Sequence, residues 1–235
     1  MFGYSGGSIA GEWAAELAPT YAPEFNIVAT AIGGIPVHLA HNLRYVNGSQ
    51  TWSGVIPAAI VALSRAFGID LAPYMSAYGK KVTAEVADEC IGGFNGNYPG
   101  LTVAQMMKPQ YADFLAIPPV ARIVNSLIMG STPGRPRMPM FMLVGNNDGT
   151  GDNVMIVKDV AALARQYCAQ GASVQYTEVP NADHTNAGIA FFVTGQVWLL
   201  AQMAGLPATR TVARSPRATH SHPAGARRAA RRAPE

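Results

Sequence analysis

The sequence opens Met1-Phe2-Gly3-Tyr4-Ser5-Gly6-Gly7-Ser8-Ile9-Ala10, and its pentapeptide Gly3-Tyr4-Ser5-Gly6-Gly7 decides how the rest is read. It fits G-x-S-x-G, the pattern of a nucleophile elbow, in which a strand turns sharply into a helix and a serine holds the turn in a strained backbone conformation. So tight a turn predicts that a Cβ at either Gly3 or Gly7 collides with the neighbouring strand or helix. The serine Oγ then stands above a sheet, and the N-terminus of the next helix faces the reacting group. A glycine-rich turn before an ordinary helix gives the same five letters in a chain with 24 glycines, so the flanks carry the decision. Downstream, Ile9, Trp13, Ala14, Leu17 and Ala18 recur at helical spacing over residues 8–19, and Pro19 ends the run. Upstream, Met1 and Phe2 alone precede the pentapeptide as strand, so the chain reads as starting in the middle of a domain.

Three later stretches read as strands of a parallel sheet. Residues 24–33, EFNIVATAIG, form a β-branched apolar run closed by Gly33-Gly34. Residues 140–145, MFMLVG, form a second buried strand that runs into Asn146-Asn147-Asp148-Gly149-Thr150-Gly151. Residues 173–179, SVQYTEV, alternate in part and end in Pro180-Asn181-Ala182-Asp183-His184. Between the last two, residues 152–169 predict an amphipathic helix stopped by Gly171. Residues 187–204 predict a closing helix with Phe191, Trp198 and Leu199 towards the core.

Residues 47–135 predict helices and loops but no clear strand. The strongest helical periods lie at 53–67, 80–92 and 117–129. A helical block of this size is too long for a simple crossover between parallel strands. It reads as a cap inserted over a site, with a separate small helical domain as the alternative. The domain reading is therefore a partial α/β core over 1–46 and 136–206, a helical cap over 47–135, and a disordered basic tail over 207–235. The tail is rich in Ala, Arg and Pro and holds nothing to bury.

Composition bounds the function. A chain of 235 residues, 49% hydrophobic, allows one domain with a real core. It contains no uninterrupted apolar run of about eighteen residues, the length that reads as a transmembrane helix. Its first residues lack the basic-then-apolar pattern of a signal peptide. The formal charge of +3 sums two unlike parts. Residues 206–235 hold seven arginines against Glu235 alone, which leaves the rest mildly acidic. A basic tail without aromatics or a folded frame does not argue for nucleic-acid binding. Cys90 and Cys168 lack metal-ligand spacing and are free to pair with each other, with other cysteines, or not at all. His38 and His41 share a helical face at 35–46, which reads as ordinary helix surface; a metal site needs further ligands that the neighbouring sequence does not supply.

Ser5, Asp148 and His184 each fall after a predicted strand, in the order Ser…Asp…His of α/β hydrolases. The chemistry needs these types. Serine is a poor nucleophile without a base. Histidine takes its proton and later gives it to a leaving alcohol. An aspartate fixes the imidazole tautomer and stabilises the imidazolium. The Gly6 N–H, directly after the nucleophile, supplies an oxyanion donor. Asp152, Asp159 and Asp183 rival Asp148 as the acid. Asp159 lies within a helix, Asp183 adjoins His184 awkwardly, and Asp152 is the runner-up.

The chain resembles the secretory lipase family, the lipase A type of fungi and actinobacteria. GYSGGS at 3–8, Trp13-Ala14, ATAIGGIP at 29–36, VGNNDG at 144–149 and CAQGASVQY at 168–176 carry the resemblance over roughly residues 1–205, most specifically around the elbow. It implies an α/β-hydrolase fold and a cofactor-free, metal-free serine hydrolase. Such an enzyme acts on carboxylic esters, triacylglycerols included, at a lipid–water interface, and is usually exported. It carries the triad roles to Ser5, Asp148 and His184. Family members have a long N-terminal half with the first strands, the second oxyanion donor and the export signal. The resemblance therefore implies a truncated chain in which Met1 is an internal methionine, and a cap disulfide in which Cys90 has lost its partner. Two alternatives follow: a non-catalytic remnant with exposed apolar surface, and an acyltransferase on the same fold.

Overall fold

A computed structural model describes residues 1–208; the basic tail expected at 207–235 lies, from residue 209 on, outside the described residues. Four strands form one parallel sheet in sequential order: β1 (Phe2–Tyr4), β2 (Thr30–Gly33), β3 (Met140–Asn146) and β4 (Val174–Pro180). The register runs Phe2–Ala31–Phe141–Gln175 across the sheet. A parallel sheet with helices on both faces is the α/β architecture expected from the sequence.

β2 is shorter than the ten-residue run in the sequence, because its ladder partners begin only where it does. Met1 and Ala29 already mark the limit of pairing with β1, and the Thr30 N–H donates to Pro139 O just ahead of β3. β2 is buried throughout and β3 nearly so, as expected for parallel strands covered on both faces. The strand period of two sorts β3 between two cores. Met140, Met142 and Val144 enter the larger cluster, while Phe141 and Leu143 enter a smaller one.

The smaller cluster is covered by α9 (His184–Met203), which supplies Phe191 and Trp198. This helix is apolar all round. Its outer side leaves Ile189, Phe192, Val193, Val197 and Leu200 at least half exposed.

The larger cluster is covered by α1 (Gly6–Tyr21) and α8 (Val157–Ala169). α1 runs two residues past Pro19, which sits in its final turn. Its buried face is not the apolar stripe. Ser8, Glu12 and Glu16 have no solvent exposure, while Ile9 and Leu17 are about 40% exposed. Partners explain the inversion. Glu16 accepts from the N–H groups of Gly130 and Thr132, from the Thr132 hydroxyl and from the Tyr167 hydroxyl of α8. The same Tyr167 hydroxyl also lies within hydrogen-bond reach of Glu12, so its single proton is shared between the two carboxyls.

Between β2 and β3 come α2 (Leu39–Tyr45), α3 (Val55–Phe67), α4 (Ala77–Val86), α5 (Ile91–Phe94), α6 (Val103–Met106) and α7 (Pro118–Ser126), with three single 3-10 turns. Within residues 47–135 the one extended pairing is an isolated antiparallel bridge, Met75–Met107. Ile56 and Ile60 of α3, Met106 and Phe114 join the same cluster as Met140 and Met142, so this segment shares one continuous core with the sheet. Cys90 and Cys168 are both free. No helix among the described residues is long and apolar enough to cross a membrane.

Candidate active site

Ser5 follows β1 directly and stands at the N-cap of α1 with φ 52° and ψ −116°, a conformation that costs an L-residue energy and that the surrounding turn must enforce. Its own N–H donates to Gly33 O on β2, which ties the turn to the sheet. The steric expectation holds on one side only. A Cβ at Gly3 would lie 2.3 Å from Gly7 O, whereas a Cβ at Gly7 would meet open space. The turn presses the strand against the helix backbone at Gly3, while Gly7 faces outwards. Gly6 opens α1, where first-turn N–H groups have no intrahelical acceptor.

His184 sits at the first position of α9 rather than in a free loop, with Asp183 as N-cap accepting from Asn186 N–H. It is 4% exposed. Its Nε2 lies 2.9 Å from Ser5 Oγ, and its Nδ1 lies 2.8 Å from Asp152 Oδ2. The carboxylate at Nδ1 favours the Nδ1–H tautomer and leaves Nε2 as the acceptor for the serine proton. The histidine backbone is held as well: its N–H donates to Asp152 O at 2.7 Å, and its carbonyl accepts from the Tyr4 hydroxyl at 2.5 Å. Burial, then the charges of Asp152 and Asp183, pushes the Tyr4 hydroxyl up, so it stays a donor. Trp52 stands edge-on to the imidazole, with ring centroids 5.1 Å apart. The segment 47–135 thus reaches the histidine itself. Gly34, at φ +56°, makes room: a Cβ there would come within 2.8 Å of His184 Cε1.

The expectation that Asp148 pairs with His184 is corrected. β3 ends at Asn146, and Asp148 lies in an exposed turn where its carboxylate is already engaged. Oδ1 accepts from the N–H groups of Thr150 and Gly151, and Oδ2 accepts from the Tyr45 hydroxyl at 2.8 Å. Partial burial pushes this carboxyl up, but the two N–H groups and the Tyr45 hydroxyl outweigh it and hold it below its ordinary value. The loop then doubles back and carries Asp152, with no solvent exposure, under His184. Asp152 is not the start of the helix expected over 152–169. Its Oδ1 accepts from Val154 N–H at 3.0 Å and Met155 N–H at 2.6 Å, a side-chain turn that delays α8 to Val157. The signal was in the sequence: Gly149-Thr150-Gly151-Asp152-Asn153 is a run of turn formers, poor as a helix start. No sequence signal pointed to Tyr4 or Trp52, whose contacts with His184 span 180 and 132 positions.

His38 and His41 stack face to face at 3.7 Å, so their rings lie parallel and do not converge on a common point. His41 Nδ1 is 2.8 Å from Asp159 Oδ2. Among the described residues no group of three His, Cys, Asp or Glu side chains is placed to hold a metal ion.

Comparison with known proteins agrees with this architecture. The chain is 28% identical over 220 residues to a secreted triacylglycerol lipase of Malassezia globosa, a match covering 86% of this chain and 45% of that protein. It is 30% identical over 190 residues to a trichothecene C-3 esterase of Fusarium sporotrichioides, covering 75% of this chain and 40% of the other. It is also 27% identical over 213 residues to a probable inactive lipase of Mycobacterium tuberculosis, covering 89% and 46%. Among solved structures, Candida antarctica lipase A in its closed state superposes with a TM-score of 0.78 at 25% identity, over 92% of this chain and 51% of that one. The chain spans about half the length of these relatives. The secretory lipase family matches across residues 1–211, and the chain belongs to that family.

Proposed function

We propose that the protein is a serine carboxylic-ester hydrolase of the lipase type, with Ser5 as nucleophile, His184 as general base and acid, and Asp152 as the group that orients the imidazole. One observation carries the reading: an unbroken hydrogen-bonded path runs from Ser5 Oγ through His184 to a fully buried Asp152. His184 Nε2 takes the serine proton as Oγ bonds to the ester carbonyl carbon. It then returns that proton to the alcohol oxygen as the carbon–oxygen bond breaks. Water, activated by the same nitrogen, releases the acid from the acyl-serine. The Gly6 N–H, at the start of α1, donates to the oxyanion. Residues 47–135 act as a cap, in keeping with Trp52 beside His184. Triacylglycerols at a lipid–water interface are the proposed substrates and export the proposed fate, by likeness to the secreted triacylglycerol lipase of Malassezia globosa. The test is Ser5→Ala: ester turnover falls by several orders of magnitude, and retained turnover removes the assignment.

A second reading has its own support. The outer side of α9 exposes Ile189, Phe192, Val193, Val197 and Leu200, a continuous apolar stripe rarely left open on a monomeric soluble protein. On that reading residues 1–235 by themselves form a poorly soluble, non-catalytic unit. A cooperative melt together with ester hydrolysis by this chain alone refutes it.

A further inference from the structure

The acid of the site is delivered by a loop, residues 147–156, and not by the end of a strand. Something must hold that loop in place, and its own bonds do only part of this. Asn147 N–H donates to Gly151 O, Gly151 bridges to Ile156, and Asp152 N–H donates to Met155 O, which closes the loop on itself. None of these bonds fixes where the closed loop stands relative to His184, and the one tie between them, His184 N–H to Asp152 O, holds the main chain at a single point without setting the direction of the carboxylate.

We propose that Tyr45 and Asn42 of α2 are positioning residues, which seat the loop so that Asp152 Oδ2 meets His184 Nδ1. The proposal rests on the triad reading above. The Tyr45 hydroxyl makes two bonds to the loop, one on each side of the acid. It donates to Asp148 Oδ2 at 2.8 Å and accepts from Asn153 N–H at 3.1 Å. Asn153 has φ 76°, a left-handed conformation that asparagine tolerates better than most non-glycine residues. Its side chain also accepts from Asn147 Nδ2. One helical turn back, Asn42 is 6% exposed, and its Nδ2 donates to Val154 O at 2.7 Å. Residues 153 and 154, which directly follow Asp152, are thus both bonded to α2. The N–H of Val154 is one of the two groups from which Asp152 Oδ1 accepts, the other being that of Met155. A lateral shift of Val154 therefore moves the carboxylate. Asp148 acquires a role in the same arrangement: its carboxylate is the acceptor that orients the Tyr45 hydroxyl so that its lone pairs face Asn153.

The test compares Tyr45→Phe, Asp148→Ala and Asn42→Ala with the parent protein and with Ser5→Ala. Two quantities are read: kcat and KM for a soluble ester, and the low-field proton NMR signal of His184 Nδ1–H, which needs no turnover. Positioning predicts that Tyr45→Phe lowers kcat by about 10²-fold, the cost of an ångström-scale misplacement, with KM within about twofold. The Nδ1–H signal moves upfield or broadens, while the melting temperature changes little. Because Tyr45 and Asp148 share one interaction, the double variant loses less than the product of the two single losses. Asn42→Ala shifts the NMR signal in the same direction. An unchanged kcat and an unchanged Nδ1–H signal in both Tyr45→Phe and Asp148→Ala overturn the proposal, as does a rise in KM with kcat intact. Loss of turnover in Ser5→Ala combined with parental behaviour in Tyr45→Phe rejects the positioning role alone. Retained turnover in Ser5→Ala rejects both.

Discussion

The loop under His184 and the seam between α1 and α8 both bury carboxyl groups completely, and they handle them in opposite ways. Asp152 receives three hydrogen bonds, from two backbone N–H groups and the imidazole. Glu12 receives one, from the Tyr167 hydroxyl, and its Oε2 finds no donor at all. Burial and the neighbouring Glu16 together push the Glu12 carboxyl up to about 8, against the pull of Tyr167. A proton on Glu12 supplies the donor that the seam lacks. Burial leaves the Glu12 carboxyl short of donors, and a proton makes up the shortfall. The difference sorts the two regions by use. The Asp152 side chain, with three hydrogen bonds, holds an imidazole, whereas in the seam Glu16 collects the donors and Glu12 keeps its proton at neutral pH.

Predictions that break or sharpen this contrast follow from its terms. Asp152→Ala has the largest effect. It lowers kcat/KM by about 10⁴-fold, as removal of a triad acid does elsewhere, whereas Glu12→Gln leaves steady-state ester hydrolysis close to parental. A smaller loss in Asp152→Ala than in Asp148→Ala would reverse the assignment of the two aspartates. Glu16→Ala comes next, on stability rather than rate. It orphans the N–H groups of Gly130 and Thr132 along with the Thr132 hydroxyl, and urea unfolding shows a loss of about 3 kcal/mol. The Glu12 prediction concerns pH. Its folded-state value lies above its ordinary one, so the folded protein holds a proton that the unfolded chain releases. The stability this provides is complete below the ordinary carboxylate range and is lost as pH rises towards about 8. Urea midpoints measured from pH 5 to 9, at about unit intervals, fall across that window in the parent and flatten in Glu12→Gln. An equally steep fall in Glu12→Gln rejects Glu12 as the source. Tyr167→Phe is the mildest change. It costs about 1 kcal/mol in the same unfolding experiment and moves the alkaline loss to higher pH, because the hydroxyl that lowers the Glu12 value is gone.

Local chemistry was legible in the sequence and distant pairing was not. Ser5 announced itself through the glycine before it, and that glycine proved to have no room for a Cβ. His184 stood out after the last strand. The acid was ambiguous because 148 and 152 lie in one loop, and the choice depends on Tyr45, about a hundred positions earlier, which occupies the first of them. α1 was legible as a helix but not in its orientation. The apolar stripe of Ile9 and Leu17 suggested one face, yet Glu12 and Glu16 turn inwards because Tyr167, Gly130 and Thr132 meet them there. β2 was overread at its start, since an apolar run does not reveal how far its ladder partners extend. Gly7 was overread as well: the spacing G-x-S-x-G does not say which of its glycines is crowded.

The central claim, that Ser5 is activated through His184 by Asp152, is tested most directly by a fluorophosphonate probe followed by mass spectrometry of the labelled protein. The account predicts a single adduct on Ser5, with labelling slowed by orders of magnitude in Asp152→Ala. An adduct on another residue, or Ser5 labelled at the parental rate in Asp152→Ala, contradicts it.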